Sequence, residues 1–167
     1  MNSDKLNDIR SNVEIDSDKI AEIVNDIIQP YCCDLDDYVN FIKSVLKDGE
    51  NPPTNSELDD FCMNLSVYIY YAGGMQERLG IKDDIARAIY KEMYHTQRDS
   101  IEKGTVSDKD SLAELASQQE ALISMAYKRA YGIMKMKVTA AQEILASCKK
   151  VLSRRVTEME LTRIGGK

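Results

Sequence analysis

Ser107–Arg163 reads SDKDSLAELASQQEALISMAYKRAYGIMKMKVTAAQEILASCKKVLSRRVTEMELTR, fifty-seven residues with no proline and one glycine, Gly132. Leu, Ala, Glu, Lys, Gln, Met and Arg dominate it, the residues that lose least on entering a helix. Gly104 stops what precedes it, and Thr105 with Asp108, or Ser107 with Asp110, supplies an N-cap. An unbroken helix of this length spans roughly 85 Å at 1.5 Å per residue. It must be covered, by the rest of the chain or by copies of it.

Upstream of this stretch the signals are shorter. Asp16 or Ser17 caps a helix carrying Ile20, Ile23, Val24, Ile27 and Ile28, and Pro30 ends it. Asp34 caps a second, with Leu35, Tyr38, Phe41, Ile42, Val45 and Leu46 at helical spacing. Asp48-Gly49-Glu50-Asn51-Pro52-Pro53 is a linker, and Thr54-x-x-Glu57 opens a third helix as a capping box. That helix runs through Leu58, Phe61, Leu65 and Ala72 to Leu79. Gly73-Gly74 inside it predicts a kink or a close helix crossing. Gly80 breaks the pattern, Lys82-Asp83-Asp84 opens a fourth helix, and Gly104 closes it. No alternating pattern and no solenoid repeat is present.

The expected fold is all-α: a long antiparallel helical hairpin, about 55–103 against 107–163, preceded by two short N-terminal helices and forming a coiled-coil oligomer. Two regions follow, an acidic N-terminal helical segment at 1–51 and the long hairpin with its basic C-terminal helix at 54–167.

The charge pattern narrows function further. The 167 residues carry a net charge of −6. Residues 1–60 hold 5 basic and 15 acidic side chains, whereas residues 127–167 hold 10 basic and 3 acidic. The acidic part either neutralises a neighbour's basic tail, or that tail faces a polyanion. Four cysteines, Cys32, Cys33, Cys62 and Cys148, make no disulfide framework, and no signal peptide is evident, so free thiols in a reducing cytoplasm are expected. The longest uncharged run, Phe61–Gln76, is too short and too polar to span a membrane.

Enzymatic chemistry finds little support. Glu92-x-x-His95 has the spacing of half a di-iron site, but His95 is the chain's single histidine. No nucleophile elbow occurs. Asp36-Asp37, Glu57-Asp59-Asp60 and Asp83-Asp84 read as residues at helix starts rather than metal ligands. A non-enzymatic protein without cofactor or metal is expected.

The C-terminal helix carries the functional signal. On a helical wheel Lys128, Lys135, Lys149, Lys150 and Arg154 fall within an arc of about 140°, opposite Leu122, Ala126, Ala130, Ile133, Ile144, Cys148 and Val151. Between Lys128 and Arg155 the one acid is Glu143, whereas faces kept for solubility interleave both signs. Tyr127 and Tyr131 flank Lys128-Arg129, a mix that suits single strands when the rings are free and core packing when they are not. Lys137 and Arg155 fall on the apolar side, where a cation must snorkel or meet an acid from another helix.

Two stretches resemble the UvsY-type recombination mediators of tailed bacteriophages. Asn12-Val13-Glu14-Ile15-Asp16-Ser17-Asp18-Lys19-Ile20 is similar to that family's polar segment and helix start. Ile144–Lys167, with Lys149-Lys150, Arg154-Arg155 and Gly165-Gly166-Lys167, is similar to its last helix and tail. The region Cys32–Pro53 looks like an insertion. The family's basic pair ahead of the break is replaced by Arg87, Lys91 and Arg98 among acids. The resemblance implies a ring-like oligomer that binds single-stranded DNA and loads a recombinase onto strands coated by single-strand-binding protein. Independently of the resemblance, the basic tail itself supplies the candidate strand-binding residues: Lys128, Arg129, Lys135, Lys149, Lys150, Arg154 and Arg155 for phosphates, and Tyr131 for stacking on a base. The competing expectation, drawn from the acidic head, is a protein-interaction module such as a virion adaptor or an inhibitor of a host factor.

Overall fold

The computed structural model describes residues 3–47 and 51–165, and the side chains of 3–13, 15, 16 and 165 are not described. Linker residues 48–50 and the closing residues 166–167 therefore lie outside the described residues, as do the side chains of 12, 13, 15 and 16 in the N-terminal stretch that carries the family resemblance. The described chain is all-α: α1 Ser3–Lys47, α2 Asn55–Ser100, α3 Val106–Ala116 and α4 Gln118–Gly165, with no strand among the described residues.

Three boundaries differ from the sequence reading, each for a local reason. The two short N-terminal helices are one helix, α1, with Pro30 inside it. Proline removes a single N–H there, an interior cost of about 3 kcal/mol. Packing opposes it on both sides, since Val24 and Ile28 before it and Cys32 and Leu35 after it are all buried. Likewise α2 continues through Gly73, Gly74 and Gly80. Gly80 lets a ring in: an added Cβ would lie 3.2 Å from Tyr131 Cε2. At Gly73 and Gly74 a Cβ would meet nothing within 4 Å, so no helix crosses closely there. Asp83 is thus not at a helix start but inside α2, and it is buried.

The third difference is in the long C-terminal stretch, which divides at Ser117 into α3 and α4. Ser117 is fully buried, at φ −104° and ψ 16°. Its N–H and its Oγ both donate to the Ala113 carbonyl, at 3.0 and 2.8 Å. The Ala121 N–H still reaches the Ser117 carbonyl at 3.0 Å. A serine hydroxyl bonding back onto its own helix bends it. Of the two candidate caps, Thr105 with Asp108 forms the capping box, and each side chain bonds the other's backbone N–H. Asp110 instead takes the Arg98 Nε at 2.5 Å and the Tyr94 hydroxyl at 3.2 Å, tying α3 to the end of α2. The Arg98 guanidinium holds the Asp110 carboxyl below its usual range.

The chain forms two compact units. The first comprises Met1–Pro30 and Glu77–Ile133; the second comprises Tyr31–Gln76 and Met134–Lys167. In the first, Leu79, Ala86, Ala113, Ala126 and Ala130 form a slim core with Val24 and Ile28. Asp83 shares this core, its Oδ2 accepting from Arg87 at 2.8 Å while its Oδ1 has no partner. In the second unit, Leu35, Ile42, Leu58, Leu65, Met134, Ala141 and Cys148 are buried. Tyr38 stacks on Tyr68 at 4.8 Å, and Phe41 meets Phe61 edge-on at 5.9 Å. Buried positions recur every seven residues, at 58, 65, 72, 79 and 86 in α2 and at 134, 141 and 148 in α4. This is the interval of helices that seat side chains as knobs in a neighbour's holes.

Candidate nucleic-acid interface

The cations of α4 divide by where their helix face points. Lys137 and Arg155, expected on the apolar side, turn to partners of the second unit. Lys137 Nζ donates to Asp36 Oδ2 at 2.6 Å, both side chains about one-third exposed. Arg155 donates to the Pro53 carbonyl at 2.5 Å and is half-buried. Arg155 therefore sits at the base of the α2 start rather than on an open basic face. The same Asp36 Oδ2 accepts from the Cys32 thiol at 3.2 Å. Burial first, and then Asp36, push the Cys32 thiol up to about 11.

Lys135, Lys149 and Lys150 remain exposed, and no carboxylate among the described residues lies within ion-pair distance of them. Arg154 is 71% exposed, 3.7 Å from Glu158. In the first unit Lys128 and Arg129 are exposed, whereas Tyr131 is half-buried with its ring against Gly80. Tyr127 is half-buried too and lines a groove with Ile85, Ile89 and Ile123. Both tyrosines of the basic–aromatic stretch thus pack within the fold.

The most exposed tyrosine rings among the described residues lie on α2. Tyr70 is 78% and Tyr71 64% exposed, their rings edge-to-face at 5.5 Å. Their surroundings follow from a groove of about 410 Å³ in the second unit, where Asp59, Met63 and Ser66 of α2 face Lys149, Ser153 and Val156 of α4. Here α2 and α4 run antiparallel, since Asn55 reaches Met159 beyond the same groove. One heptad further along α2, Met63 is followed by Tyr70 and Ser66 by Gly73; back along α4, Lys149 is preceded by Gln142 and then by Lys135. The α2 side beyond the groove therefore carries Tyr70 and Gly73, while Lys135, Gln142 and Lys149 share one side of α4. Gly73 leaves open space there. The sequence contained the signal, two adjacent tyrosines beside two glycines, but nothing local distinguished exposed rings from packed ones.

This arrangement can hold an anionic chain bearing flat rings: ammonium groups for charge, tyrosines for stacking and amide and hydroxyl groups between them. Asp59 at one end of the groove weakens the positive field there. Glu92 and His95 are exposed on α2, and among the described residues no three His, Cys, Asp or Glu side chains are grouped to hold a metal. No helix of the described residues is long and apolar enough to cross a membrane.

Compared with protein-family models, with curated proteins and with solved structures, the chain matches none significantly. Its class is set by its own fold, all-α among the described residues, with three long helices and one short one.

Proposed function

We propose that this protein is a single-stranded-DNA-binding recombination mediator, acting in the cytoplasm with a recombinase and a single-strand-binding protein. In this reading it is not an enzyme and requires no cofactor. α2 and the C-terminal helices form a long antiparallel hairpin that self-associates, and the hairpin's basic side captures a flexible strand. The observation that carries the reading is the set of exposed α4 lysines, Lys135, Lys149 and Lys150, without carboxylate partners among the described residues, with the exposed ring of Tyr70 one heptad beyond Met63 of the groove that Lys149 lines. Lys128, Arg129 and Arg154 extend the set of exposed cations. Affinity then comes from phosphate neutralisation and ring stacking, and specificity from protein partners rather than from base edges.

The test is binding of fluorescent oligo-dT at low salt by the wild type and by Tyr70→Ala. Stacking on Tyr70 predicts a loss of roughly 5- to 150-fold on its removal, with thermal stability unchanged because the ring is already exposed. A wild type that does not bind oligo-dT at low salt refutes the reading. The α4 face is then a protein contact, and the protein-interaction module, whether virion adaptor or inhibitor of a host factor, becomes the function to pursue.

A further inference from the structure

The first unit leaves an apolar row uncovered on α2. Ile81, Ile85 and Ile89 recur every four residues and are 52%, 54% and 50% exposed. Across a groove of about 280 Å³ they are joined by Ile123 and Tyr127 of α4. Isolated exposed isoleucines are ordinary, but three in one row beside a further apolar wall form a contiguous patch. Lys82 and Glu120 line the groove itself, and at the two ends of the row a cation and an anion stand symmetrically about its centre. Arg78 and Glu92 each lie seven residues from Ile85, both exposed and neither ion-paired among the described residues.

We infer that a second copy of this chain covers this face, α2 packing antiparallel on α2 about a two-fold axis at Ile85. In that register Ile81 lies level with Ile89 of the partner subunit, and Arg78 lies level with Glu92 of the partner subunit. Two-fold symmetry forms each contact twice, so one row supplies a closed interface with two ion pairs at its ends. Parallel packing in register would set Arg78 against Arg78 and Glu92 against Glu92, and like charges at an interface disfavour it. A face of this length suits a weak dimer, with Kd in about the micromolar range. The inference deepens the self-association proposed above by naming its surface, and it does not depend on strand binding.

The experiment is sedimentation velocity on the full chain from about 1 to 200 µM, spanning the expected Kd. The wild type passes from monomer to dimer over this range. Ile85→Glu places two carboxylates against each other at the axis and weakens the dimer more than about 100-fold. Its helix content and melting temperature stay at the wild-type values, because the position is already half-exposed. Arg78→Glu and Glu92→Arg each weaken association by about 10-fold, and the two together restore it. These swaps at exposed positions keep the test decisive should Ile85→Glu disturb folding. A wild type of constant monomer mass overturns self-association itself. A dimer that the Ile85 change and both single swaps leave intact, or one that the double swap fails to restore, overturns this surface alone, and oligo-dT binding is unaffected by either result.

Discussion

Replacing Lys137 and Asp36, singly and together, measures whether α1 and α4 are joined in the second unit as the structure places them. The pair lies at 2.6 Å with both side chains about one-third exposed. That setting falls between an open surface ion pair, typically about 0.2–1 kcal/mol, and a buried charge-assisted bond, about 1.5–3 kcal/mol. A coupling energy of about 1 kcal/mol is expected. The single changes should differ. Lys137→Met keeps the packed stem and leaves Asp36 its Cys32 thiol at 3.2 Å. Asp36→Asn leaves a half-buried ammonium without a carboxylate partner, and should cost more, about 1.5–2 kcal/mol. Urea unfolding of the four proteins gives the cycle, and one kcal/mol is about 2–4 °C in Tm at this chain length. Cys32 provides a second readout, since Asp36 raises its pKa and Lys137 lowers it. With Cys33 replaced by serine, the pH profile of Cys32 alkylation should move up in Lys137→Met and down in Asp36→Asn. Additivity of the two changes within about 0.3 kcal/mol, together with an unmoved thiol profile, would refute the contact.

Other expectations concern the glycines and the thiols. Gly73→Ala with Gly74→Ala should stabilise the protein by about 1–2 kcal/mol, because both lie inside α2 with open space at the Cβ position; circular-dichroism melting reads this as a rise of several degrees. Cys32 is held protonated by burial and Asp36, up to about 11 from 9.0, and burial also raises Cys62 and Cys148. The folded chain binds these protons more tightly than the unfolded chain, so the contribution of Cys32 to stability is complete below about pH 9 and is lost as pH rises through about 11, and those of Cys62 and Cys148 are likewise lost at alkaline pH. Urea midpoints measured from pH 8 to 11 should fall, and by less in Cys32→Ser.

The sequence disclosed elements more readily than their ends. Thr54 with Glu57 and Thr105 with Asp108 were legible as capping boxes because their chemistry is local: four residues hold both partners. The inward turn of Lys137 and Arg155 was legible from the wheel, since a cation on an apolar face must find an acceptor. Pro30 and Gly80 misled for one reason: each has a local cost that packing elsewhere outweighs. The residues that offset those costs, Val24 to Leu35 around Pro30 and Tyr131 against Gly80, include partners about fifty residues away. Ser117 gave the opposite error, a bend inside a composition that favours helix on both sides. Among the candidate site residues, charge was legible and exposure was not. Tyr131 and Tyr70 have equally helical contexts, and only the tertiary fold buries one and presents the other.

The central claim is that exposed α4 lysines hold phosphates, and the salt dependence of oligo-dT binding tests it most directly. Each phosphate neutralised contributes about −0.7 to the slope of log affinity against log salt. The account predicts that replacing Lys135, Lys149 and Lys150 with alanine makes the slope shallower by about 2, with helix content unchanged, while Tyr70→Ala lowers affinity at an unaltered slope. Binding whose slope is the same in the triple variant as in the wild type would contradict it.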